Sequence, residues 1–201
     1  MNRTAAGISF LLLLGVAYMV TCNGCSGSAK YDKYSSTDPE LNMTMDYIPG
    51  WQYRETRGSN NSYADVFFGE PRNKGEEKGR KAFISATSVK IPDAAMPADM
   101  LDRSAESFAE SRLKYKEGKL LGRAKLKIPA GEAVELSFSY KALDKLYNSN
   151  AKLAPVEEKV VMLINGGRFY TVRYENKEDD FKRFDKDFDH IVKSIRFKEK
   201  R

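Results

Sequence analysis

The chain has 201 residues, 31% of them charged and 41% hydrophobic, with a formal net charge of +6. That length suits one ordinary domain, and the composition fits neither a disordered chain nor a multi-span membrane protein. Two cysteines cannot build a disulfide scaffold, and His190, the single histidine, excludes any site that needs two histidines from this chain.

Residues 2–24 differ from the rest of the chain. Arg3 is their only charge, and an apolar stretch covers residues 5–20, with a leucine run at 11–14 and Ser9 as its one ordinary polar interruption. The stretch has the length of a signal-peptide core and is short for a bilayer-spanning helix, which needs ~20 apolar residues. It ends in Thr21-Cys22-Asn23-Gly24-Cys25-Ser26-Gly27-Ser28, and the chain then turns polar. A cysteine that closes an apolar segment, after small residues and before a Ser/Gly run, resembles the lipobox of bacterial lipoproteins. The resemblance implies cleavage before the cysteine, a lipid on it, and a membrane reached through that lipid. Cys25, with Gly24 before it and Ser-Gly-Ser after it, is the favoured lipidation site, and Cys22, after Met19-Val20-Thr21, is the alternative. The Cys-x-x-Cys spacing can also signal redox or metal chemistry. Its place at the end of an apolar segment, with no second Cys or His pair near it, disfavours both. An uncleaved N-terminal anchor is a third reading, and it too places the domain outside the cytoplasm on a membrane. In the lipoprotein family an aspartate after the modified cysteine resembles an inner-membrane retention signal. Ser26 or Asn23 stands there, which favours the outer membrane over the inner, with the domain facing the periplasm or the cell exterior.

Residues 25–42 mix Ser, Gly, Lys, Asp and Pro39 without helical or strand period and are expected to form a flexible tether. From residue 43 the pattern is that of a folded domain ending near residue 197. Tyr47-Ile48-Pro49-Gly50-Trp51 reads as a strand, a turn and the start of a second strand. Residues 62–69 carry Val66, Phe67 and Phe68, and residues 70–80 form a charged loop. Residues 81–90 alternate with the period of a strand. Residues 98–117 place Leu101, Ala105, Phe108, Ala109 and Leu113 on one helical face, with Gly118 as the stop. Residues 122–128 and 132–140 flank Pro129-Ala130-Gly131. A three-residue loop there pairs Leu126 with Val134, Ala124 with Leu136 and Lys125 with Glu135. Residues 156–164 and 167–174 flank Asn165-Gly166, a two-residue hairpin signal that pairs Val161 with Tyr170 and Glu158 with Arg173. Both faces of that hairpin are apolar, which predicts central strands with layers above and below. Residues 142–155 read as a long polar connection. A closing helix over residues 177–194 carries Phe181, Phe184, Phe188, Ile191 and Val192, with acids at its start and Lys193 near its end, as the helix dipole prefers.

The densest positive feature is Lys114, Lys116 and Lys119, followed by Arg123, Lys125 and Lys127 on one side of a strand. It is the candidate surface for an anionic lipid, lipopolysaccharide or an acidic partner, against the alternative of a solvated sheet face partly neutralised by Glu135. Nucleic acid is disfavoured by the export signal. Asp185, Asp187 and Asp189 imitate a calcium loop but lack its glycine and its distal glutamate, and aspartates two apart on a helix point in different directions. No metal or cofactor is expected, and His190 reads as a half-exposed structural residue. Tyr63, Tyr140, Tyr147, Tyr170 and Tyr174 read as packing residues with wet hydroxyls. Glu132, Glu135, Glu157 and Glu158 could include a carboxylate pair, and nothing singles one out. No nucleophile elbow, phosphate loop, zinc-protease or dinucleotide motif is present, so no enzyme is expected.

The element order resembles that of PsbP-like domains, the fold of a photosystem II extrinsic subunit and of several bacterial lipoproteins. The residues that carry the resemblance are Tyr47-Ile48-Pro49-Gly50-Trp51, the strand Arg168-Phe169-Tyr170-Thr171-Val172-Arg173-Tyr174, the helix with Phe181, Phe184, Phe188 and Ile191, and then Ser194-Ile195-Arg196-Phe197. It spans residues 43–197. It implies an α+β fold in which helices cover both faces of an antiparallel sheet (an α/β/α sandwich), binding and assembly roles, and no shared catalytic residues. The expected function is that of a lipid-anchored, non-enzymatic envelope protein that binds a protein partner or assists assembly. The alternative is a module that binds a small hydrophobic ligand or lipid in a pocket between sheet and helix.

Overall fold

The structure is a computed structural model that describes residues 30–58, 62–71, 81–92, 97–143 and 152–198. The N-terminal apolar segment, Cys22, Cys25 and Tyr147 lie outside the described residues, as do most of the 70–80 loop and much of the 142–155 connection. The elements in chain order are β1 (Asp32–Ser35), β2 (Met43–Tyr47), β3 (Gln52–Arg57), β4 (Tyr63–Gly69), β5 (Phe83–Lys90), α1 (Met100–Leu113), β6 (Lys119–Ile128), β7 (Gly131–Leu143), β8 (Leu153–Asn165), β9 (Arg168–Lys177), α2 (Glu178–Ser194) and β10 (Arg196–Phe197). Seven strands form one antiparallel sheet in the order β3-β4-β5-β9-β8-β7-β6, and β1-β2-β10 form a small second sheet. The fold class is α+β.

Alternation along β8 explains the layering. Val161 and Leu163 share a buried cluster with Phe181, Phe184, Phe188 and Ile191 of α2 and with Met43 and Met45 of the small sheet. Val160 and Met162, their neighbours in the chain, share a second cluster with Ala105, Leu101 and Phe108 of α1. Successive strand residues point to opposite faces, so α2 and the small sheet lie on one face and α1 on the other. The stripe read on α2 is buried as a unit, Phe188 and Ile191 completely. The stripe read on α1 packs on the sheet only as far as Ala109, and Leu113 at its end stays 48% exposed.

The turn after β2 arises directly from its residues. The Trp51 N–H donates to the Ile48 carbonyl at 3.1 Å, and Gly50 takes φ +79° after Pro49, as a type II turn requires. Three expectations are corrected. The tether is shorter than residues 25–42, because β1 lies inside that range, with Tyr34 and Leu41 buried. Tyr34 is the only inward side chain of β1, so polar neighbours hide the strand in the sequence. In the first hairpin Ile128 faces Gly131 across a two-residue turn, Pro129-Ala130, so Lys125 faces Val134 and Ala124 faces Glu135. The irregularity sits instead between Leu120 and Gly122, a bulge near the start of β6. In the second hairpin Asn165 remains in the strand opposite Arg168, and Gly166 and Gly167 form the turn at φ +56° and +76°, the two left-handed conformations of a type I′ turn. Val161 therefore faces Val172, and Leu163 faces Tyr170. The shift is by two residues, so every side chain keeps its expected face.

Gly167→Ala tests that turn. The added Cβ meets nothing within 4 Å, so its cost is that of the left-handed backbone, about 1–2 kcal/mol. Asn165→Ala should cost less than about 0.5 kcal/mol. A larger loss at Asn165 than at Gly167 in urea unfolding would put the turn one residue earlier.

Candidate functional surface

The face of the sheet under α1 carries a buried charge cluster. Glu158 of β8 and Glu175 of β9 are direct cross-strand partners, and both are fully buried. Two adjacent carboxylates buried in the core require cations, and two arginines supply them. Arg112, one turn of helix beyond Phe108 on α1, grips Glu158 with both arms, Nε to Oε2 at 2.6 Å and Nη2 to Oε1 at 3.2 Å. Arg173 of β9 ion-pairs with Glu158 and Glu175 together. Burial alone would lower the pKa of the Arg173 guanidinium, but Glu175 and Glu158 outweigh it and hold the value above normal. Tyr140 of β7 donates its hydroxyl to Glu175 at 2.7 Å. Burial, reinforced by Glu175 and Glu158, pushes its pKa well up, so it stays a donor. Both carboxylates, the deepest candidates for an acid or base, are thus engaged with arginines, and Glu175 also with a phenol. The arrangement is structural.

The cluster also holds the end of α1 in place. Arg112 lies 4.3 Å from the Phe108 ring centre and 5.3 Å from that of Tyr115, and Tyr115 meets Tyr140 edge-on at 5.0 Å. The chain then doubles back. The N–H of Lys141 donates to the Lys116 carbonyl at 2.8 Å, and the Lys141 Nζ meets Glu117 at 2.6 Å. Gly118 is required in this reversal, because a Cβ there would sit 2.5 Å from the Arg112 carbonyl oxygen.

The candidate basic surface divides in two. On β6, Arg123 and Lys125 face α1, and both bind Asp102 at 2.8 Å, with Glu106 3.5 Å from Arg123. The expected Lys125–Glu135 pair does not form, because Glu135 points to the α2 face, where burial raises its pKa despite Lys159 nearby. Lys127 lies across from Glu132. Lys114, Lys116 and Lys119 are exposed at the end of α1 and the start of β6, and among the described residues none has an ion-pair partner. The six cations are therefore not one open row. Two are held by α1, and three crowd the end of the sheet.

The other residues singled out in the sequence have plain roles. Asp185 and Asp189, one helical turn apart, hold Lys159 at 2.5 and 2.9 Å, while Asp187 accepts from the Tyr31 hydroxyl at 2.7 Å. His190 contacts Asp46 at 2.8 Å and stacks on Tyr31 at 3.9 Å. Tyr63 donates to Asp65, and Tyr174 donates to the Phe181 carbonyl. Burial, with Glu178 close by, raises the pKa of Glu157. Sequence reasoning set Arg173 against Glu158 but missed Glu175 and Arg112, and also Arg168, a buried cation bound to Glu40 and to Ser88. The available signal was a glutamate inside strands otherwise apolar on both faces. Two hollows among the described residues measure about 340 Å³, beside Pro97, Met100 and Arg103, and about 460 Å³, beside Lys33, Thr44 and Arg196. Neither lies between the large sheet and a helix. No helix of the described residues is long and apolar enough to cross a membrane.

No family model matches the chain, and no curated protein matches it. Solved structures do. Cyanobacterial PsbP (CyanoP) from Synechocystis sp. PCC 6803 is 18% identical over 90% of this chain and 99% of its own, with a TM-score of 0.50. A protein of unknown function from Pseudomonas aeruginosa, PA94, described as a putative regulator, is 11% identical over 86% of this chain and 100% of its own, with a TM-score of 0.53. LpqN of Mycobacterium tuberculosis, involved in cell envelope biogenesis, is 16% identical over 85% and 93%, with a TM-score of 0.47. At these identities the likeness to CyanoP and PA94 concerns the fold, which is PsbP-like.

Arg112→Ala should destabilise the domain by about 3–5 kcal/mol in denaturant unfolding, because it leaves Glu158 buried with one cation fewer. Adding Glu158→Gln to that variant should recover part of the loss. A cost below about 1 kcal/mol for Arg112→Ala would show that the cluster does not hold α1.

Proposed function

We propose that the chain is a lipid-anchored envelope protein whose domain acts without catalysis, as a module that binds a protein partner or assists assembly. The observation that carries the reading is the apolar N-terminal segment ending in Gly24-Cys25-Ser26, followed within a few residues by a folded domain that starts at Asp32. A lipid on Cys25 leaves six residues, 26–31, before β1, a leash of at most ~20 Å. The domain is thereby kept close to the bilayer, on the outer membrane in preference to the inner. The non-catalytic part of the reading is supported by the charge cluster: its carboxylates are the most deeply buried acids described, and they neutralise arginines.

Metabolic labelling with a fatty-acid probe tests the anchor. Cys25→Ala should abolish label and move the protein from the membrane to the soluble fraction. Label that persists until Cys22 is replaced transfers the anchor to Cys22. Label and partition unchanged by either replacement would overturn the lipoprotein reading.

A further inference from the structure

The exposed apolar side chains of the α1 half of the domain gather at one end of the large sheet. Leu113 closes α1, Tyr115 comes just after it, and Leu120 and Leu121 open β6. Their exposures run from 42% to 55%. They belong to one place. Leu120 faces Phe138 on β7, and the Lys141 N–H on the same strand reaches the Lys116 carbonyl, whereas Leu143 and Leu153, the last pair between β7 and β8, fall by alternation on the other face. The bulge between Leu120 and Gly122 leaves Leu121 outside the register, and it is the most exposed of the group.

Over residues 113–121 the charge is mainly basic, whereas the acidic first turn of α2, Glu178 to Asp180, lies at the same end on the other face of the sheet. Lys114, Lys116 and Lys119 alternate with the apolar residues. Glu117, the one acid over residues 113–121, is bound by Lys141. Leucines flanked by lysines match the interface of an anionic bilayer: the apolar side chains enter the headgroup boundary, and the lysines keep their ammonium groups among phosphates.

We propose that this end of the sheet is a second, direct membrane contact, specific for anionic lipid. It deepens the anchored reading, and rests on it for the nearness of a bilayer. The distances permit both contacts at once. β9 ends and α2 begins at this end of the sheet, with Lys177 opposite Val156. Tyr31, where the leash leaves the domain, bonds to Asp187, about 14 Å along α2 from its start at the rise of an α-helix. A leash of ~20 Å spans that interval. An acidic protein surface is the competing occupant, but it would not select for four large apolar side chains beside so short a leash.

The test uses the full chain with vesicles of phosphatidylcholine alone and with phosphatidylglycerol added. Flotation reports the anchor, and amide hydrogen exchange over residues 113–121 reports the tip. The expected result is flotation with both vesicles, and exchange over 113–121 slowed severalfold only when phosphatidylglycerol is present. Lys116→Glu with Lys119→Glu should abolish that slowing, and so should Leu120→Ser with Leu121→Ser, a pair of already exposed positions. Flotation with both vesicles but equal exchange over 113–121 overturns the tip contact and leaves the anchor standing. Flotation only with phosphatidylglycerol, with the tip protected, overturns the anchor and upholds the tip. No flotation overturns both, and protection that the variants leave intact overturns the assignment to these residues.

Discussion

Two glutamates on neighbouring strands, both fully buried, set the terms for the α1 half of this domain. Carboxylates so placed need cations beside them. Arg173 lies on the same face of β9 as Glu175 and serves both, but Glu158 still needs a second guanidinium. It comes from α1, because Arg112 is the residue that the helix delivers over β8. The position of α1 is therefore fixed by an ion pair at its end as well as by the apolar contacts of Leu101, Ala105 and Phe108. That matters because α1 has one buried residue, whereas α2 has five.

The fixed end of α1 in turn sets the course of the next segment of chain. The reversal through Gly118 brings Lys116 against Lys141 and starts β6 where Leu120 meets Phe138. The cations of β6 then divide by face and by distance along the strand. Arg123 and Lys125 lie under the first turn of α1 and bind Asp102, while the lysines before β6 stand at the open end of the sheet. A feature that reads as one basic stretch becomes an internal clamp and a separate exposed cluster, set by which side chains the helix covers.

The large elements were legible because their signals are local. The stripe of α2, the alternation of β5, the Pro49-Gly50 turn and the two-faced β8–β9 pair all stand in the sequence and in the fold. β1 was not legible, because a strand with one inward side chain has no period to detect. Hairpin registers slipped for a related reason. Asn-Gly-Gly offers two possible turns, and only the conformation shows that both glycines are left-handed. The extra residue in β6 likewise sits at Leu121, far from the turn where a loop would place it. The charge cluster was half visible: the hairpin already placed Arg173 against Glu158, but Arg112 and Tyr140 come from elements far from it in sequence, and pairing of that kind depends on topology.

The bulge at Leu121 has a further consequence. β6 is a ten-residue strand at the margin of the large sheet, with one row of backbone donors and acceptors turned outward. A straight strand of that length invites a second chain to add itself. Here the irregularity breaks the repeat near one end, and Arg123, Lys125 and Lys127 place like charges along the rest. A neighbouring copy laid against β6 would meet a broken ladder and its own cations. Such an edge disfavours the addition of a strand from a second copy.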